Sequence, residues 1–224
     1  MRLSFIGMSG VGKSHWSGQL EAAGFRRFAC DVLIAERLGL AIERQNHSRD
    51  AQVDAKFDAK FNVGAWMGLP YESHYRGREA QYLAHETAVM TEILAELAQN
   101  PQDTTQNIIV DTTGSVIYTS PVLLERLSQL TTIVYLDAPD FVQERMYQSY
   151  IANPAPVLWR DHFRPQQGEC REDALACGYR ELLAARTEQY RALAHVTLDY
   201  HILRQEGFGL AEFLAQVQQT TVTG

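Results

Sequence analysis

The octapeptide Gly7-Met8-Ser9-Gly10-Val11-Gly12-Lys13-Ser14 follows directly on the apolar run Leu3-Ser4-Phe5-Ile6. It reads G-x-x-x-x-G-K-S, a phosphate-binding loop at the point where a first strand gives way to a first helix. Glycines carry no Cβ, so the backbone can wrap closely around a polyphosphate and turn successive N–H groups onto its oxygens. A helix expected over 13–23 adds its positive N-terminal end to the same anion. Lys13 is expected to reach the β- and γ-phosphates, with the Ser14 hydroxyl on a magnesium ion that bridges them. Gly7, Gly10, Val11, Gly12, Lys13, Ser14 and His15 thus form the candidate nucleotide site, ATP and Mg2+ being the implied cofactors. A glycine turn that merely joins strand to helix has no need of the lysine. The 20 basic residues include only Lys13, Lys56 and Lys60 as lysines, the rest being arginine, so a lysine in this chain is seldom solvated filler.

A chain of 224 residues fits one α/β domain over 1–224 and is long enough to bury a full core. The net charge of -7 argues against a nucleic-acid partner, which would favour a basic face. The sequence contains no apolar run long enough to span a bilayer, and its N-terminus enters a strand at once, so no membrane partner and a cytoplasmic location are the expectations. Cys30, Cys170 and Cys177 are an odd count without metal spacing and read as reduced thiols, with a Cys170/Cys177 pair or a metal site with His162 as the alternatives.

Along the chain, a short strand over 25–29 is followed by Asp31, at the place where a strand's carboxyl end faces the ligand crevice of an open parallel sheet. Asp31 could cap the helix that follows; a substrate contact is the stronger reading. Residues 43–74 lose their periodicity and read as an insert closing over the acceptor site. A long helix is expected over 75–99, with Leu83, Val89, Met90, Ile93, Leu94 and Leu97 as its apolar stripe and Arg76 on its first turn, suited to gripping a carboxylate bidentately. Arg78 and His85 read as solvated. Asn107-Ile108-Ile109-Val110 is a buried strand closed by Asp111, the arrangement in which a carboxylate holds magnesium or its waters, and Thr113-Gly114-Ser115 forms a tight turn at the ligand edge.

A fourth strand is expected over 131–136 and a helix over 140–150. Its Arg145 is a candidate contact for the nucleotide base or phosphates, weighed against a plain surface role. Residues 153–173 have several prolines, Gly168, Arg160, Arg164 and Arg171, and no periodicity, which reads as an arginine-bearing lid over the phosphates. A helix over 174–193 with Arg186 and Tyr190, a fifth strand over 195–199 and a last helix over 209–218 complete the chain. Residues 220–224 are expected to fray.

These features together resemble the shikimate kinase family of nucleoside-monophosphate-kinase-like P-loop enzymes. The resemblance covers residues 2 to about 200 apart from the insert, and implies a three-layer α/β/α fold on a five-stranded parallel sheet. The family's acidic residue after strand two, which binds and orients the acceptor hydroxyls, is similar to Asp31 in Phe28-Ala29-Cys30-Asp31. Its Phe-Arg-x-x-Glu motif resembles Tyr75-Arg76-Gly77-Arg78-Glu79. Its late Arg-x-Pro-x-Tyr motif resembles Arg186-Thr187-Glu188-Gln189-Tyr190. Asp31, Arg76, Gly114 and Arg186 are the substrate-binding residues this implies, for a small hydroxylated carboxylic acid.

The chain departs from the family at three places. Ala29 stands where an aspartate lies near the metal, Thr113-Gly114-Ser115 where three glycines form the turn, and Ala155-Pro156 where the lid has Arg-Pro. The catalytic set is then Lys13 and Asp31 with Arg160 or Arg164 as the lid cation, and the metal set is Ser14 with Asp111 in place of the missing carboxylate. The implied activity is an ATP- and magnesium-dependent kinase acting on a hydroxyl of a small carboxylated or polyhydroxylated metabolite, shikimate first among them. A nucleotide-binding regulatory module without transferase activity is the alternative. A monomer or weak homodimer is expected.

Overall fold

The computed structural model describes residues 1–40, 63–100, 105–152 and 156–222. Its centre is a five-stranded sheet of order β2-β3-β1-β4-β5, built from β1 (Arg2–Ile6), β2 (Arg26–Ala29), β3 (Ile108–Asp111), β4 (Thr132–Leu136) and β5 (Val196–Leu198). Every pairing is parallel, with Phe5 opposite both Asp111 and Val134, and Ala29 opposite Asp111. Parallel strands are covered on both faces, which is why the central ones read as continuous apolar runs. Leu3, Phe5, Ile109, Val110, Ile133, Val134 and Leu136 are all fully buried.

The covering helices are α1 (Lys13–Ala22), α2 (Cys30–Arg37), α3 (Tyr75–Gln99), α4 (Pro121–Leu130), α5 (Asp140–Ala152), α6 (Arg171–Leu193) and α7 (Leu210–Val222). Their ends follow local chemistry. The Ser120 hydroxyl accepts from Leu123 N at 3.3 Å and Pro121 occupies the first turn of α4, where its missing N–H is no loss. The Cys170 sulfur accepts from Asp173 N, so α6 begins at Arg171, one turn earlier than periodicity indicates. α7 runs to Val222 rather than fraying at 220, and its Phe213 stacks on Trp16 of α1 with ring centroids 4.6 Å apart.

The chain leaves β1 for β2 on one side and later reaches β4 on the other, so the strand order reverses between β1 and β3. In open parallel sheets the crevice beyond the carboxyl ends at such a point receives ligands. Here those ends are Gly7 to Ser9 after β1 and Thr112 to Ser115 after β3.

Of the insert read at 43–74, residues 43–62 lie outside the described residues. Residues 63–67 are helical, with Val63 and Met67 buried. Arg78, read as solvated, in fact donates to the Trp66 carbonyl and lies 5.6 Å from that indole's centroid, tying α3 to this turn. His85 is half-buried.

Candidate active site

Gly7, Gly10 and Gly12 adopt φ of 137°, 85° and 117°, which L side chains seldom reach, and these turns curl the loop between β1 and α1. At Gly7 the requirement is doubled, since a Cβ there would stand 2.7 Å from the Leu136 carbonyl oxygen. Lys13 Nζ is buried inside the curl, donating to the Gly7 and Met8 carbonyls at 2.7 and 2.9 Å. Val11 is buried beneath it. Ser14 is partly exposed on the first turn of α1, and His15 is exposed, 2.8 Å from Gln19 Nε2 and edge-on to Trp16. The curl and its ammonium fit a polyphosphate. Arg204 also belongs to this neighbourhood: its Nη2 donates to the Val11 carbonyl at 3.3 Å and its guanidinium stacks 3.6 Å from the Tyr200 ring centroid. Nothing in its sequence surroundings marks it.

A small open cleft adjoins the loop, lined by Ser9, Asp31, Tyr82, Thr113, Gly114, Ser115, Pro156 and Arg186. Asp31 enters it from the first turn of α2, and Arg186 from the middle of α6. Three expected residues, Asp31, Gly114 and Arg186, thus meet beside the phosphate loop. Arg186 is buried, yet its hydrogen bonds go to neutral oxygens, Nη2 to the Leu158 carbonyl at 2.9 Å and Nε with the Tyr118 hydroxyl at 3.2 Å. Its guanidinium lies 5.2 Å from the Tyr118 ring centroid, and Tyr190 on the next turn of α6 donates to the Gly114 carbonyl. A guanidinium held this way keeps its capacity for a carboxylate or other anion.

Arg76 is not part of that assembly. It is exposed on the first turn of α3 and does not line the cleft. The buried face of this helix carries its neighbours in the motif, Tyr75 and Glu79. Arg145 is exposed on α5, with its guanidinium 5.1 Å from the Phe141 ring centroid.

The part of the cleft that sequence reading missed lies beneath the turn after β3. Glu86 of α3 is buried and accepts from the Thr113 hydroxyl and, at 2.7 Å, from the Ser115 hydroxyl. Burial pushes its pKa up to about 7, Thr113 and Ser115 pull it back down, and Asp31 adds to the rise while Arg186 opposes it. A signal existed in the sequence: Tyr75, Glu79, Tyr82 and Glu86 recur at spacings of 4, 3 and 4, continuing the apolar stripe of the second half of α3 toward the site.

Asp111 is fully buried, with its Oδ2 2.9 Å from Arg27 Nη2 and 2.7 Å from the Ser17 hydroxyl. A carboxylate already neutralised by a buried guanidinium is a poor fit for magnesium, and among the described residues no group of three or more His, Cys, Asp or Glu could hold a metal. The expected pairing of Ser14 with Asp111 as metal ligands therefore meets an Asp111 whose Oδ2 already serves Arg27 and Ser17, while Ser14 lies partly exposed on the first turn of α1. The cysteine–histidine metal alternative finds no such group either among the described residues, and Cys30, Cys170 and Cys177 form no disulfide.

Residues 153–155, including Ala155, lie outside the described residues, and within the expected lid residues 157–160 are held by packing and hydrogen bonds while 164–168 are exposed. Trp159 is fully buried, its backbone N–H donating to the Tyr75 hydroxyl at 2.9 Å and its indole to the Tyr150 hydroxyl at 3.0 Å. Tyr75 in turn donates to the Val157 carbonyl at 2.6 Å, and Arg160 N donates to Glu79 at 2.8 Å. The prolines and arginines masked a short apolar run, Val157-Leu158-Trp159, that packs like core. Arg160 takes a positive φ of 53°, with its guanidinium 5.7 Å from the centroid of Tyr118, the ring that Arg186 also contacts; Arg164 is exposed.

A curled phosphate loop at the switch point of a β2-β3-β1-β4-β5 parallel sheet, with a polar cleft beside it, defines the fold of the P-loop kinases. More narrowly, it is a shikimate kinase-like fold. The chain is similar to the shikimate kinase from Acinetobacter baumannii in complex with shikimate, at TM-score 0.55 and 22% identity, covering 99% of this chain and 92% of that one. It is likewise similar to the shikimate kinase from Aquifex aeolicus, at 0.55 and 15%, covering 100% of each, and to that from Bacteroides thetaiotaomicron, at 0.54 and 14%, covering 99% and 97%. No protein-family model and no curated protein matches the sequence. No helix among the described residues is long and apolar enough to cross a membrane.

Proposed function

We propose that this protein is an ATP- and magnesium-dependent phosphotransferase that phosphorylates a hydroxyl of a small polyhydroxylated or carboxylated metabolite, with shikimate as the first acceptor to try. The observation that carries this reading is the convergence of Ser9, Asp31 and Arg186 on one cleft beside the phosphate loop. Phosphoryl transfer asks a protein mainly for in-line positioning and charge neutralisation. Lys13 would leave its carbonyl partners for the nucleotide's phosphates, and Ser14 would hold the metal that neutralises the same oxygens. Asp31 would orient the attacking hydroxyl and accept its proton, and Arg186 would fix the acceptor's anionic group. Arg160, whose backbone is tied to Glu79 and whose guanidinium lies over Tyr118, the ring that Arg186 also contacts, is the better placed of the two candidate lid cations; Arg164 and Arg145 would contribute only after movement. Arg76 would require the same. The reading extends to a single domain with a small-molecule partner in the cytoplasm.

Ala29 and the engaged Asp111 favour a second reading, a nucleotide-binding module that transfers nothing. A coupled assay of ADP release across shikimate, other hydroxy acids, sugars and nucleoside monophosphates separates the two. Acceptor-dependent ADP release supports the kinase; nucleotide binding with no release above the acceptor-free rate supports the module.

A further inference from the structure

Glu79 and Glu86 are both buried on the face of α3 turned toward the cleft. The role of Glu79 is visible in its bonds to the Tyr75 hydroxyl and Arg160 N. Glu86 is different, because it accepts from the hydroxyls of Thr113 and Ser115, both residues that line the acceptor cleft. The two hydroxyl oxygens lie 3.0 Å apart, and Thr113 Oγ1 also accepts from Ser115 N at 3.0 Å.

Proton counting decides what this arrangement offers a ligand. Each hydroxyl has one proton and two lone pairs. With Glu86 ionised, both protons are drawn into its carboxylate, so the hydroxyls have lone pairs left to offer. Asp31 adds a carboxylate to the same cleft, while Arg186 can only donate. The cleft then accepts hydrogen bonds on one side and donates them on the other.

We propose that Glu86 is a positioning residue of the acceptor cleft, holding the Thr113 and Ser115 hydroxyls turned inward so that the cleft receives hydroxyl protons from a polyol. This deepens the kinase reading and rests on it. The groups facing Glu86 are Asp31 from α2, Arg186 and Tyr190 from α6, and Tyr82 from its own helix. Burial raises both tyrosines, so neither ionises near neutrality. Protonated Glu86 must itself donate to one hydroxyl, taking up a lone pair there and releasing that hydroxyl's own proton toward the cleft, so the cleft has one acceptor fewer for a ligand's O–H. Polyol binding therefore tightens as pH rises through the Glu86 titration at about 7.

The test is calorimetric titration of the full chain, loaded with a non-hydrolysable ATP analogue and Mg2+, with shikimate and with the uncharged polyol myo-inositol, from pH 6 to 8. The expected result is that wild type binds at least one probe more tightly at pH 8 than at pH 6. Glu86→Gln binds that probe about tenfold more weakly at pH 8 with a flat pH profile, the size of one lost hydrogen bond to a charged group. Nucleotide affinity stays unchanged. Wild-type affinity and pH profile in Glu86→Gln overturn the inference. So does a wild type that binds nucleotide but neither probe, which leaves the nucleotide site standing. Absence of nucleotide binding removes the kinase reading itself, and the inference with it. Should Glu86→Gln not fold, Ser115→Ala replaces it: a similar loss is expected, and unchanged affinity overturns the proposal.

Discussion

Arg27 and Asp111 form a buried ion pair at 2.9 Å between neighbouring strands, with the Ser17 hydroxyl of α1 on the same carboxylate oxygen. The strand-closing aspartate thereby fastens α1 to the sheet. Stranding a buried charge costs about 3–5 kcal/mol, and Arg27 keeps a second partner in Glu21 at 3.2 Å, so the loss of Asp111 costs less than that. Asp111→Asn should lower the free energy of unfolding by about 1–3 kcal/mol, and with it the denaturation midpoint, while leaving the Mg2+ dependence of nucleotide binding as in wild type. A normal midpoint with an altered Mg2+ titration would return Asp111 to the metal.

Glu86 makes stability depend on pH with a sign opposite to that of an ordinary salt-bridged carboxylate. Its folded pKa of about 7 lies above the usual value of 4.5, so the folded state holds a proton the unfolded chain has lost. The associated stability is fully present below about pH 4.5 and is lost as pH rises through 7, a change on the order of 3 kcal/mol. Urea denaturation at pH 5, 6, 7 and 8 should show wild type losing stability relative to Glu86→Gln across this range. Parallel curves for the two proteins would contradict the assignment.

Gly114 lines the cleft between Arg186 and Ser9 of the phosphate loop. A Cβ added there would lie 3.5 Å from Arg186 Nη1 and from Ser9 N, ordinary contact distances, and its backbone is not in the left-handed region. Gly114→Ala should therefore fold with a stability change of ~0.5 kcal/mol or less, yet the methyl occupies space an acceptor needs. Acceptor KM should rise about tenfold or more, on the scale of one overpacked methyl group. A KM equal to wild type would mean that the acceptor lies elsewhere.

The Tyr75 hydroxyl joins α3 to the segment after residue 156, donating to Val157 O and accepting from Trp159 N. Tyr75→Phe keeps the ring and leaves a buried carbonyl and a buried N–H without this partner, a loss of about 1–3 kcal/mol. Hydrogen exchange should accelerate most at the Trp159 amide. Uniform acceleration, or none, would show that the segment is held by its apolar side chains alone.

The parallel sheet and phosphate loop were legible because both obey local rules: continuous apolar runs for buried strands, and glycines with a lysine where the chain must curl around an anion. Asp31 and Arg186 were legible through the resemblance, and the structure brings both to one cleft. Arg76 fitted the same pattern and lies outside, because the buried face of that helix turn carries Tyr75 and Glu79. The fate of Asp111 depended on Arg27, 84 residues away in sequence, a pairing that no periodicity reveals. Glu86 was passed over because charged residues were assigned to the solvated face, though its spacing lay in plain view. The segment after 156 read as loose because prolines and arginines outnumbered the three apolar residues that anchor it.

Lys13 is buried in a loop whose glycines take positive φ and whose carbonyls it bridges, and nucleotide binding depends on it first. Calorimetric titration of ATP with Mg2+ into wild type and Lys13→Ala measures that dependence directly. Wild type should bind saturably and the variant about tenfold or more weakly, the scale of a charge-assisted contact to phosphate. No binding by wild type, or equal binding by both proteins, would contradict it.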